Sequence, residues 1–120
     1  MEASAAQVAS DIRLKNSFID LNEKYDLFFN TIHPLLFKYN NSANNRYHVG
    51  FIAQEIEQCL QKANLSNFDF AGLCISSNED NTYYLRYEEF IPLNTWQIQK
   101  LKARINELEN KINELEAKLC

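Results

Sequence analysis

Apolar residues recur at alternating spacings of three and four along the last quarter of the chain: Ile98, Leu101, Ile105, Leu108, Ile112, Leu115 and Leu119. That is a coiled-coil seam, with Ile at a and Leu at d until Leu119. The g positions are Arg104, Lys111 and Lys118, and the e positions are Lys102, Glu109 and Glu116. In a parallel coil Arg104 faces Glu109 and Lys111 faces Glu116 of a neighbour, opposite in sign. An antiparallel partner would set g against g, cation against cation. The tail therefore encodes parallel self-association, in a rod of roughly 39 Å from Asn94 to Leu119 at about 1.5 Å per residue. The repeated Ile-Asn-Glu-Leu-Glu at Ile105 and Ile112 is a zipper rather than a low-complexity linker. Ile at a with Leu at d favours two strands. Arg104-Ile-Asn-Glu-Leu-Glu109, in contrast, resembles a pattern associated with trimers.

Upstream of the zipper the period changes from segment to segment. Asp20-Leu-Asn-Glu23 has capping-box spacing and predicts a helix of about ten residues, with Leu21, Tyr25, Phe28 and Phe29 on one side. Pro34 disfavours helix at His33. Leu35–Tyr39 and Tyr47–Ile52 read as strands joined by the polar Asn40–Asn45 loop, a hairpin. From Ala53 a helical face carries Ile56, Cys59 and Leu60 as far as about Ala63. Phe70–Ile75 and Thr82–Tyr87 are two further strands around the polar Ser76–Asn81 turn. Glu88 and Glu89 suit the start of the long final helix, where the dipole favours anions, and Pro92 is tolerated in its first turn. The fold class is α+β: a small antiparallel sheet with helices, then a long C-terminal helix forming a parallel coiled coil. A compact unit of about 60–90 residues buries only about 60% of its unfolded surface. With 8 Phe and 6 Tyr, this one is expected to complete its core by subunit association.

Composition narrows the function classes. Apolar residues make up 46% and charged residues 23% of the 120, which excludes a disordered charged tail. The net charge of −4, from 12 Lys+Arg and 16 Asp+Glu, disfavours a reader of duplex DNA, so no nucleic-acid partner is expected. No apolar run is long enough to span a bilayer, and the opening Met1–Ser10 lacks the basic start of a signal peptide. No membrane partner is expected. Only 2 Gly and 2 Pro imply few tight turns and no glycine-rich phosphate loop. Cys59, Cys74 and Cys120 are odd in number and widely spaced, and the two histidines lie apart, so neither a zinc site nor any cofactor is expected. The plain reading is two buried thiols and one terminal thiol in a reducing compartment.

The residues able to do chemistry are individually unremarkable. In Ser10-Asp-Ile-Arg-Leu-Lys15 a serine precedes a lysine by five. Serine is a weak nucleophile unless a base takes its proton, and a lysine amine can do so only when neutral, a form that burial or a neighbouring cation favours. Five residues apart, the two meet neither on an ideal helix nor on a straight strand; they need a bend. Taken by spacing alone, Ser10 is an exposed hydroxyl and Lys15 a solvated amine. His48 taken alone is a strand histidine satisfied by a local carbonyl. Gln54 and Glu55 start a helix, and Arg86 faces solvent or pairs with Glu88 or Glu89.

Together these segments carry a resemblance. Ser10-Asp-Ile-Arg-Leu-Lys15, Val49-Gly-Phe-Ile-Ala-Gln-Glu55, Leu85-Arg-Tyr-Glu-Glu-Phe90 and the closing zipper are similar to the self-cleaving intramolecular chaperone domain of phage tail fibres, tailspikes and neck appendages. The same domain occurs in endosialidases and in the myelin regulatory factor. The resemblance spans Ser10 to Leu119. It implies a homotrimer that aligns three chains, assists folding of the upstream fibre domain of the same chain, and then cuts itself off. It implies Ser10 as nucleophile, Lys15 as its general base and His48 as a further catalytic group. Arg13, Gln54, Glu55 and Arg86 would be supporting residues. The cut would fall at Ser10, on the Ser10–Asp11 side or, by attack of Ser10 on the preceding carbonyl, after Ala9. Residues 1–9 would be the fibre stub, 10–93 the chaperone and autoprocessing domain, and 94–120 the coiled-coil stalk. The implied setting is the host cytoplasm during virion assembly, with the domain released from the mature fibre. The alternative is a non-catalytic trimeric structural adaptor of a phage tail.

Overall fold

A computed structural model describes residues 7–119. Residues 1–6 of the expected stub, and Cys120, lie outside the described residues. From residue 7 the chain is extended, broken by a 3₁₀ turn at Ile12–Leu14. Next come α1 (Glu23–Thr31), β1 (Leu35–Phe37), β2 (His48–Gly50) and α2 (Ala53–Lys62). A 3₁₀ turn at Asn67–Asp69, β3 (Leu73–Ile75) and β4 (Tyr83–Leu85) follow. A third 3₁₀ turn, Tyr87–Glu89, leads into α3 (Phe90–Leu119).

The hairpins pair as the alternation predicts, but as two separate two-stranded ribbons rather than one sheet. In the first, Leu35 faces Gly50 and Phe37 faces His48; in the second, Leu73 faces Leu85 and Ile75 faces Tyr83. Each strand keeps only three residues, since neither ribbon has a neighbour to extend its ladder.

The core forms around α2, which packs against α1, β3 and β4. Ile56 and Leu60 are fully buried from its apolar face, and Phe28 of α1 is fully buried opposite them. Phe70 lies 5.1 Å from Phe28 and 5.1 Å from Phe90, ring centre to ring centre, so one aromatic chain joins α1 to the base of α3. Leu65, Leu73 and Leu93 close the cluster.

Several local expectations are corrected. The α1 cap is Asn22 rather than Asp20: its side chain accepts from the Lys24 amide and starts the helix at Glu23. Glu88 and Glu89 sit in the 3₁₀ turn ahead of α3 rather than in its first turn. Pro92, as expected, falls in the first turn of α3, whose 30 residues span about 45 Å. Cys59 is buried, but Cys74 is only half-buried on the outer face of β3.

The scarcity of glycine does not deprive the chain of left-handed turns. Asn41, Asn45, Asn64 and Asn81, with Ser17, take positive φ. A short polar side chain makes that region tolerable. Asn64 closes α2: its amide donates to the Gln61 carbonyl at 3.0 Å, and the Leu65 amide donates to the Leu60 carbonyl at 2.9 Å. This pair of bonds is a Schellman cap built without glycine.

Beyond Lys100 none of the described residues covers α3. All seven seam residues are exposed, from Leu108 at 41% to Leu119 at 87%. The g-position cations turn to their own helix instead, Arg104 and Lys111 both meeting Glu107. Among the described residues no helix is long and apolar enough to cross a membrane.

Candidate active site

The bend that the Ser10–Lys15 spacing requires is the first 3₁₀ turn. Asp11 caps it, its carboxylate accepting from the Arg13 amide at 2.9 Å. The Leu14 amide donates to the Asp11 carbonyl at 2.9 Å and the Lys15 amide to the Ile12 carbonyl at 3.2 Å. Three residues of tight helix reverse the offset between positions 10 and 15, and Lys15 Nζ donates to Ser10 Oγ across 2.5 Å. The hydroxyl and the amine are thus in direct contact within one chain. With its proton removed, the same nitrogen would accept the serine proton, which is the geometry a general base needs.

The turn is pinned by an ion pair. Arg13 Nη2 meets Asp11 Oδ2 at 2.7 Å and Arg13 Nε meets Asp11 Oδ1 at 3.0 Å. The guanidinium holds the Asp11 carboxyl below the usual carboxylate range, helped by the Arg13 amide, and the carboxylate raises Arg13 in turn. Residues 7–20 are all exposed, including Val8, Ile12, Leu14, Phe18 and Ile19, so among the described residues none covers the pair.

The other candidates lie elsewhere. His48 is half-buried in β2, its ring stacked 5.6 Å from Phe37 and edge-on to Tyr39 at 4.9 Å. It forms no hydrogen bond to Ser10 or Lys15. Gln54 and Glu55 are exposed in the first turn of α2, where Glu55 complements the helix dipole. Arg86 is exposed after β4; its amide donates to the Gly72 carbonyl at 2.8 Å. It pairs with neither Glu88 nor Glu89.

Two of the sequence segments that carry the resemblance do meet, through residues that spacing does not single out. The Phe51 amide donates to the Tyr87 hydroxyl at 3.1 Å, and the Phe51 ring stacks on Phe90 at 4.9 Å. A Cβ on Gly50 would strike the Tyr87 hydroxyl and the Phe37 ring, so this glycine is there for close approach, not for a special φ. Beside this joint a groove of about 600 Å³ runs between the two ribbons, lined by Phe37, Tyr39, Phe51, Gln54, Tyr84 and Tyr87 among others.

A family model of peptidase type, described as chaperone of endosialidase, matches residues 10–65. Over that stretch, just under half of the chain, the sequence is similar to the chaperone-of-endosialidase family. The match opens at Ser10 and takes in Lys15, His48, Gln54 and Glu55; Arg86 and α3 lie beyond it. The fold of this chain is shared with a solved structure described as the crystal structure of a novel intramolecular chaperon. The TM-score is 0.66 over 79% of this chain and 99% of that one. At 22% identity the likeness is one of fold. No curated protein matches the chain at comparable stringency.

Proposed function

We propose that three copies of this chain wind together through α3, assist the folding of a phage fibre or appendage domain upstream in the same chain, and then release themselves by cutting beside Ser10. The observation that carries this reading is the 2.5 Å contact between Lys15 Nζ and Ser10 Oγ. It sits at the first residue of the family match, in an apolar segment that is exposed in the single chain.

In a single chain the amine is exposed to water. Packing of Val8, Ile12, Leu14 and Phe18 against neighbouring copies removes water from it, and a lysine amine taken from water favours its neutral form. Cleavage then waits for assembly. The neutral amine takes the Ser10 hydroxyl proton while Oγ bonds to a carbonyl carbon. As the tetrahedral centre collapses, the C–N bond breaks and the nitrogen leaves with that proton. Water then adds to the ester carbon, the alcohol leaves, and a carboxylate and a free hydroxyl remain.

The two flanking bonds make different demands. Attack on the Ala9 carbonyl is an N-to-O shift within Ser10 and frees a chain beginning at Ser10. Attack by Ser10 on its own carbonyl would close a four-membered ring. A cut at Ser10–Asp11 therefore calls on Ser10 of a neighbouring chain. His48 supports cleavage across the assembly in this reading, with Gln54, Glu55 and Arg86 shaping its surroundings.

Residues 1–9 are then the stub, 10–93 the processing domain and 94–120 the stalk. The stalk raises the effective concentration of three fibre ends and lowers the cost of setting their register. Loss of the domain after folding leaves the fibre with kinetic stability, since the element that aligned it is gone. The work is done in the host cytoplasm during virion assembly, and the released domain is absent from the mature fibre. A non-catalytic trimeric adaptor is the competing reading. Intact-mass analysis of the chain and of its Ser10→Ala and Lys15→Met variants separates them. Cleavage in the parent alone supports the proposal, and full-length mass in all three supports the adaptor. The fragment masses also tell which side of Ser10 is cut.

A further inference from the structure

We propose that Arg13, acting through Asp11, is the positioning residue of the Ser10–Lys15 pair. The inference rests on the self-cleavage reading above. Its ground is that Asp11 serves two ends at once. One carboxylate oxygen caps the 3₁₀ turn through the Arg13 amide, and both oxygens are taken by the Arg13 guanidinium.

The first consequence is geometric. The turn is three residues long and exposed, with no core contact to hold it. A lone exposed ion pair contributes little, but a bidentate fork combined with a cap on the same carboxylate is the favourable case. Without the fork, the turn populates other conformations and Lys15 loses its reach to Ser10.

The second consequence is electrostatic. Asp11 is the nearest acid in sequence to Lys15, and a carboxylate in contact with the amine would hold it as ammonium and draw it off the hydroxyl. Arg13 occupies that carboxylate. The remaining charged group beside Lys15 is Asp20, which lines the same shallow groove but makes no hydrogen bond or ion pair to it. Asp20 also lines a second groove with Ile91, Pro92, Thr95 and Trp96 of α3.

Self-cleavage of the full chain, followed by intact mass from pH 5 to pH 10, tests the inference in the parent and in R13Q, R13K and D11N/R13Q. R13Q is expected to slow cleavage about fivefold at neutral pH, the upper scale of one lost exposed ion pair, and to move the ascending limb of the profile to higher pH. R13K should recover part of the rate, since an ammonium pairs with Asp11 but cannot fork. D11N/R13Q should return the limb towards the parent position, because the freed acid is gone while Asn still caps. Thermal unfolding of R13Q should match the parent. An R13Q profile equal to the parent's, or lowered by the same factor at every pH, overturns the inference. Cleavage that persists in S10A, or is missing in the parent, overturns the dyad reading instead and takes this one with it.

Discussion

The Tyr87 hydroxyl lies over Gly50 and accepts the Phe51 amide at 3.1 Å, joining residues 36 positions apart. It ties the entrance of α3 to the turn between β2 and α2. The glycine and the tyrosine therefore form one structural unit: the close approach of one is possible because the other lacks a Cβ.

Gly50→Ala is expected to destabilise the domain by about 1–3 kcal/mol, as overpacking does. Tyr87→Phe should cost about 1 kcal/mol for the hydrogen bond it removes. Because the new methyl group clashes first with the hydroxyl, the double variant should be more stable than the sum of the two losses predicts. Urea unfolding of the four proteins measures this, and strict additivity would show that the two sites do not touch.

Phe28 is the hub of the aromatic core and has no exposed surface. Phe28→Ala should cost about 3–5 kcal/mol, the range for a buried phenyl that leaves a cavity. For a domain this small, that is most of its stability. A loss below about 1 kcal/mol in chemical unfolding would contradict the assigned core.

Asp26 on α1 meets Lys100 on α3 at 2.6 Å and also accepts from Gln97 at 2.8 Å. Lys100 also lies over the Trp96 ring at 4.4 Å. Lys100 first, and Gln97 with it, lowers the Asp26 carboxyl from its ordinary 3.8. A depressed carboxyl contributes its stability in full above 3.8 and loses it as pH falls through the lower folded value. Both side chains are more than a third exposed, so the contribution is below about 1 kcal/mol. Asp26→Asn should therefore be slightly less stable than the parent at pH 6, with the gap closing in acid. A gap that widens as pH falls would reverse the sign argued here.

The seam of α3 is exposed in one chain, and the proposed assembly would bury it. Leu108→Asp should leave a species that sediments as a single chain, with a melting temperature that no longer rises with protein concentration. Undiminished assembly would mean that contacts outside α3 hold the copies together.

Much of this architecture is legible in the residues. The face Ile56, Cys59, Leu60 predicts α2 within a residue of its end, since a buried amphipathic helix leaves a strong period. The hairpin partners follow from alternation and polar loops. Other features depend on competition between near-equal alternatives. Asp20 and Asn22 both suit a cap, and only the chain path selects Asn22. The left-handed positions fall to asparagine, which composition does not reveal. The Ser10–Lys15 contact is invisible to regular periods because a 3₁₀ turn makes it. Its available signal was Asp11 two residues before Arg13, a cap and a cation on one turn. The place of His48 relative to the pair cannot follow from one chain when the chains are expected to complete the site together.

The central claim is that assembly switches on the Ser10–Lys15 pair. Self-cleavage of freshly refolded chain, followed across a dilution series with sedimentation on the same samples, tests it most directly. The account predicts a cleavage rate that falls away with dilution at the concentration where the trimer dissociates. An equal rate in the single chain, or no trimer at any concentration where cleavage proceeds, would contradict it.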